Sequence, residues 1–230
     1  MRAVPVPRAN AEMDCFAIEA AAFAMRDRQS RAFTLIELLV VTTIIVVLLG
    51  LLFPAFQGVQ NQAKKTQAKN DLTQIVTAVN AYYTEYGKYP LVNADSIYGR
   101  SGAPSDTLFD ELRGLSSATQ NPRQIVFISP ADSKDANNPR SGIATQDVTV
   151  NGVAIKKGEF VDPWGSSYNI KIDGDYDNVV TNPYGGSGGA GSDSIRQGVI
   201  AWSFGKDGVL GDKRKNDGKF SGSDDVISWQ

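Results

Sequence analysis

The side chains that could do chemistry in this chain are few, and nearly all are acids. There is no histidine, which removes the commonest general base and metal ligand, and Cys15 is the one cysteine. Glu37 stands out by its surroundings. It is the single charge in the run Phe33-Thr-Leu-Ile-Glu-Leu-Leu-Val-Val-Thr-Thr-Ile-Ile-Val-Val-Leu-Leu-Gly-Leu-Leu-Phe53, and the next ionisable residue is Lys64. A charge at that depth in a membrane costs ~2.5–3.5 kcal/mol on insertion scales, so an acid there marks a functional position by default. A second group of acids, Asp207, Asp212, Asp217, Asp224 and Asp225, crowds the C-terminal end among glycines and turn residues. Asp and Gly favour turns with or without an ion. A third, Asp173-Gly-Asp-Tyr-Asp177, starts with EF-hand-like spacing but lacks the following Gly and the distal Glu. No phosphate-binding glycine loop and no recognisable nucleophile–base pair is present, so nothing nominates a catalytic centre, and an enzyme is not expected. With a net charge of −2 and no basic patch, no nucleic-acid partner is expected.

The element that must carry Glu37 is a helix. The 33–53 run would be about 31 Å long at ~1.5 Å per residue, the hydrocarbon thickness of a bilayer. Arg26, Arg28 and Arg31 precede it, which predicts a cytoplasmic N-terminus and an outward-facing remainder. Past Pro54 the helix is expected to continue, softened at Pro54 and Gly58. Phe56, Val59, Ala63, Leu72, Ile75, Val76, Val79, Tyr82 and Tyr86 recur at spacings of three and four as one stripe, with Lys64, Lys65, Lys69 and Asp71 off it. Gly87 should end the helix. Residues 105–115 read as a capped helix, 124–128 as a buried strand, and 129–142 as a surface loop. Val148 to Ile155 is a hairpin turned at Asn151-Gly152. Gly185 to Gly191 reads as a flexible loop. Strands are predicted at 168–172, 198–204 and 226–229.

Arg31-Ala32-Phe33-Thr34-Leu35-Ile36-Glu37 resembles the processing signal of the type IV pilin and type II secretion pseudopilin superfamily. The resemblance implies cleavage between Ala32 and Phe33, with Ala32 where the family usually has Gly, and N-methylation of the new terminus at Phe33. Glu37 matches the family's acid and Pro54 its helix-kinking proline. An ordinary signal peptide would be cut after its apolar core, and no such site follows Phe53. Tyr82 to Pro90, Asp162-Pro-Trp-Gly-Ser-Ser-Tyr168, Ser203-Phe-Gly-Lys-Asp-Gly208 and Ser223-Asp-Asp-Val-Ile-Ser-Trp229 resemble elements of the major pseudopilin of type II secretion. The implied architecture is α+β: a long N-terminal helix packed on a small C-terminal antiparallel sheet. The segments are a leader over 1–32 (Met25 being an alternative start to Met1), a transmembrane part over 33–53 and an extracytoplasmic helix over 54–90. A variable region over 91–161 and a sheet and loop region over 162–230 follow.

Major pseudopilins bind one calcium ion between the last two of these elements. Carried over residue by residue, the resemblance implies the backbone oxygens of Phe204 and Val226 and the carboxylates of Asp207 and Asp225, with Asp212, Asp217 and Asp224 as further candidates. The function implied is self-assembly into a periplasmic filament that drives protein export. Partners would be other copies, minor pseudopilins, a prepilin peptidase, an inner-membrane platform protein, an assembly ATPase, and membrane lipid before assembly. The location would be the bacterial inner membrane, single-pass, with the C-terminal part periplasmic. The alternatives are a type IV pilin for adhesion, motility or DNA uptake, and a membrane-anchored domain that binds its partner through calcium.

Overall fold

A computed structural model describes residues 33–115, 119–150 and 152–230, without the side chains of 51–55. The expected leader, including Cys15, Ala32 and both candidate starts, lies outside the described residues. The chain forms two compact units, residues 1–50 and 51–230.

Helix α1, Leu35–Tyr86, supplies the described part of the first unit and opens the second. Up to Leu49 its large apolar side chains are exposed, Leu35 at 87% and Leu48 at 61%. The two threonines inside this stretch spend their hydroxyls on the helix itself, Thr42 and Thr43 both donating to the Leu39 carbonyl at 3.0 and 2.8 Å. No polar group of theirs then needs water. Among the described residues no helix is long and apolar enough to cross a membrane. A span needs ~20 residues, and the 33–53 run reaches into 51–55, where side chains are not described. Pro54 lies within α1, in that same stretch.

In the second unit α1 ends where expected. Gly87 takes φ +67° and its N–H returns to the Tyr83 carbonyl at 2.8 Å, a left-handed C-terminal cap. The helix packs on a four-stranded antiparallel sheet of β1 (Ser96–Tyr98), β6 (Asn169–Ile172), β9 (Val199–Ser203) and β10 (Val226–Ile227), in that order. Successive strand residues face opposite sides. Val199 and Ala201 join the core under α1 with Leu72, Ile75, Val79, Tyr82 and Ile170, whereas Ile200 and Trp202 face a second core. That second core is covered by β7 (Val180–Thr181), β8 (Ser194–Ile195) and the glycine-rich turn between them, from which Tyr184 and Ala190 are buried. The turn exposes Gly186, Ser187, Gly189 and Gly191 but is tied down by a Trp229 Nε1 bond to the Ala190 carbonyl at 2.7 Å.

The predicted hairpin forms as β3 (Val148–Val150) and β4 (Val153–Ile155), Gly152 at φ +79°. Two short strands, β2 (Gly142–Ile143) and β5 (Phe160–Val161), pair beside it. Helix α2, Asp106–Leu112, buries Leu108, Phe109 and Leu112 but stops short of Leu115. Its N-cap Ser105 makes no side-chain cap bond, contrary to expectation; its N–H instead donates to buried Glu159 at 3.2 Å.

One other expectation fails. Residues 124–128 are not a strand: Phe127 and Ile128 both donate to the Leu112 carbonyl, and Val126 is exposed. Asp71 lies off the stripe, as its spacing requires. It is buried beside the apolar stripe, where the Tyr168 hydroxyl donates to it at 2.8 Å. Burial pushes its carboxyl above the usual range, and the Tyr168 bond pulls it partly back. Lys69 reaches the Ile227 carbonyl at 2.7 Å and that of Ser228 at 3.4 Å, covering the outer edge of the sheet.

Candidate functional site

Two groups of predicted residues take shape. At the start of α1, Phe33 is 78% exposed. Thr34 and Glu37 form a reciprocal cap. The Thr34 N–H and hydroxyl both donate to Glu37 Oε2 at 2.9 Å, and the Glu37 N–H donates to Thr34 Oγ1 at 3.2 Å. This is a capping box, Thr-x-x-Glu, which satisfies helix donors that otherwise have no partner. The Thr-x-x-Glu spacing alone announces this local partner for Glu37. The carboxylate is therefore already oriented at the helix end, beside Phe33.

The second group lies between β9 and β10. It is built from a turn. Asp162, fully buried, gathers the N–H groups of Trp164, Gly165 and Ser166 on Oδ1 at 2.9, 2.8 and 2.9 Å. Pro163 between them has no N–H to place. Asp162 Oδ2 accepts from the Ser203 hydroxyl, whose oxygen in turn accepts from the Gly205 N–H at 3.1 Å. Asp162 thereby anchors the first residue of the acidic loop. Gly205 itself needs φ +62°, and a Cβ there would lie 2.5 Å from the Asp224 carbonyl, so no other residue fits.

Beyond Gly205 the loop brings Asp207, Asp224 and Asp225 together, with one carboxylate oxygen from each within 4.8 Å of the others. Asp207 accepts from Val209 and Lys213 N–H groups at 3.1 and 3.0 Å. Asp224 Oδ2 accepts from the N–H groups of Lys206 and Asp207. Asp225 is 5% exposed, and its Oδ2 accepts from the Gly211 N–H and the Tyr184 hydroxyl, each at 2.8 Å. Its Oδ1 is buried with no partner. Burial, with the charges of Asp224 and Asp207 adding, pushes the Asp225 carboxyl up to about 7 despite those two bonds. Burial and the same carboxylate hold the Tyr184 hydroxyl far above its ordinary range.

Phe204 and Val226 bracket this cluster. Val226 follows Asp225 and pairs with Ser203, which precedes Phe204. The other candidates do not join the three carboxylates. Asp212 accepts from the Arg214 N–H at 2.9 Å and lies 3.8 Å from the charged groups of Arg214 and Lys215. It shares with Asp207 and Asp224 the wall of a cavity of about 380 Å³. Asp217 is exposed and accepts from Lys219 N–H.

A rival cluster exists, and sequence reasoning named only part of it. Asp95, Asp173 and Asp175 also bring carboxylate oxygens within 4.8 Å, without Asp177. The buried member, Asp173, is fully engaged by the N–H groups of Tyr176 and Asn178 at 2.8 and 2.7 Å. Asp95 accepts from the Gly174 N–H and lies 3.7 Å from the Lys171 amine. No oxygen here is left over as Asp225 Oδ1 is.

The profile of the Prokaryotic N-terminal methylation motif matches residues 27–53. The chain is 39% identical over 66 residues to Type II secretion system core protein G of Pseudomonas aeruginosa, a match covering 29% of this chain and 46% of that protein. It is 36% identical over 61 residues to Type IV major pilin protein PilA of Myxococcus xanthus, covering 26% of this chain and 28% of that one. The chain thus spans less than half the length of each of these curated relatives. No solved structure matches. The motif over residues 27–53 and the two partial matches make this chain similar to type II secretion pseudopilins and type IV pilins.

Proposed function

We propose that this chain is a structural pseudopilin. It is cut between Ala32 and Phe33, methylated at Phe33, held in the inner membrane by residues 33–53, and assembled into the filament of a type II secretion system. The observation that carries this is the exposed apolar part of α1, headed by a carboxylate, inside the matched motif. Contiguous apolar surface of that extent is covered in a working protein by lipid or by other subunits. Cleavage would leave a charged α-amine on Phe33, and an unpaired charge of that kind in lipid costs ~2.5–3.5 kcal/mol. Glu37 of a neighbouring copy can neutralise that amine only in one axial register, which converts burial into a defined stagger. The prepilin peptidase, platform protein, ATPase and minor pseudopilins are the partners this reading requires, and the head would be periplasmic.

Two substitutions test it. Glu37→Val removes both the charge and half of the helix cap; Glu37→Gln keeps the cap and removes only the charge. Both variants should insert and be processed yet form no filaments in a strain with the platform protein. Normal filaments from Glu37→Gln would reject charge pairing as the register device.

The similarity to the Myxococcus pilin supports a second reading, a surface type IV pilus. Deleting the gene separates the two. Loss of proteins from the medium supports secretion, and loss of surface fibres supports a pilus.

Within the head, Asp207, Asp224 and Asp225 with the Phe204 and Val226 carbonyls are the donors we assign to a calcium ion. The donor chemistry fits, being hard oxygen throughout, and the orphaned Asp225 Oδ1 is what an oxygen-seeking cation would satisfy. Bound there, calcium would neutralise three crowded carboxylates. The chain's own part is to hold them at that spacing, through Asp162, Ser203 and Gly205 on one side and Tyr184 and Gly211 on the other.

A further inference from the structure

We infer that Tyr184 is a positioning residue for the divalent cation at Asp207, Asp224 and Asp225, an inference that rests on the calcium reading above. The Asp225 carboxylate is used unequally. Oδ2 receives two donors, the Tyr184 hydroxyl and the Gly211 N–H, both at 2.8 Å, while Oδ1 is buried without one. Two donors on one oxygen stop the carboxylate from rotating about its Cβ–Cγ bond. The oxygen left over is then presented in one direction, as a cation needs.

Tyr184 is itself held. Its N–H donates to Asn182 Oδ1 at 3.0 Å, and its ring packs edge-on against Phe220, with centroids 5.5 Å apart. The turn that carries it is tied to the C-terminal segment by the Ser221 N–H donating to the Gly188 carbonyl at 2.9 Å. The glycine-rich turn between β7 and β8 therefore delivers one hydroxyl to a carboxylate 41 residues away. Outer groups that orient a ligand are typically worth ~10–100-fold in metal affinity.

The test uses the full chain in detergent, with calcium titrated calorimetrically and melting followed in EDTA and in calcium. Tyr184→Phe keeps the ring and removes the hydroxyl. It should weaken calcium binding by about 10-fold or more while leaving the EDTA melting temperature near that of the parent. Unchanged affinity in Tyr184→Phe, alongside lost binding in Asp225→Asn, overturns the inference and leaves the calcium reading standing. An equal fall in melting temperature with and without calcium assigns the hydroxyl a purely structural part and also overturns it. A parent chain that binds no calcium sinks the calcium reading itself, with Asp225→Asn then melting like the parent in both media.

Discussion

One helix, α1, treats the same kinds of side chain in two opposite ways. From Leu35 to Leu49 its leucines, isoleucines and valines are exposed; from Ala68 to Tyr82 Leu72, Ile75 and Val79 are completely buried. The second stretch has a sheet of its own chain to cover it, so its apolar residues are confined to one face and polar ones fill the other. The first carries apolar side chains on every face, with Glu37, Thr42 and Thr43 as its only polar residues. Composition alone therefore separates the half that packs in the head from the half whose apolar side chains stay exposed.

Substitutions in the two halves should separate these roles most sharply. Leu72→Ala should cost about 2–5 kcal/mol of head stability in urea unfolding, because a fully buried leucine leaves a cavity. Leu48→Ala should shift that transition by no more than ~0.5 kcal/mol, as surface changes do, and lower filament yield instead. Equal destabilisation by the two would dissolve the contrast.

The calcium proposed above would act on the head alone, and its effect should come next in size. At a calcium concentration of ~100 times the dissociation constant, the head should gain about 2.7 kcal/mol over EDTA. Asp225→Asn should abolish that gain, and Asp173→Asn should retain it, since only Asp225 has an oxygen to spare. A melt indifferent to EDTA rejects a structural ion.

The cap at the exposed end is a smaller matter. Thr34→Val should cost ~1 kcal/mol, felt as faster amide exchange in the first turn of α1 and not as a change in head melting. Smallest is the pH response of Asp71. Its carboxyl is raised by burial, so the folded state binds its proton more tightly than the unfolded chain. That stability is fully present below the unfolded value near 3.8 and is lost as pH rises through the raised folded one. Asp71→Asn, which can still accept from Tyr168, should flatten this part of the curve; an unaltered slope would place the titration elsewhere.

Much of this was legible in the sequence because it is local. The three-and-four spacing found the stripe that is buried from Leu72 to Tyr82, though its members Phe56, Val59 and Ala63 are exposed; Gly87 found the helix end, and Asn151-Gly152 found the hairpin. Alternation from Tyr168 to Ile172 located β6, the apolar run from Gly198 to Phe204 located β9, and the Asp207–Asp225 loop holds three carboxylates that do meet. What escaped depends on contacts made across the fold. Nothing near Asp71 announces Tyr168, and nothing near Asp225 announces Tyr184. Asp95 joins Asp173 and Asp175 only because β1 pairs with β6. Gln124 to Ile128 is apolar enough for a strand, yet Asn121 takes the Gln124 and Ile125 N–H groups and the Leu112 carbonyl those of Phe127 and Ile128, leaving none of these for a neighbouring strand. The cap between Thr34 and Glu37 is local too, and its Thr-x-x-Glu spacing stands in the sequence.

The central claim is that the exposed end of α1 is made by processing and kept for assembly. Mass spectrometry of the native protein, purified from membranes, tests it most directly. The account predicts a chain beginning at N-methylated Phe33. A native chain that still carries the residues before Phe33, unmethylated and monomeric, would contradict it.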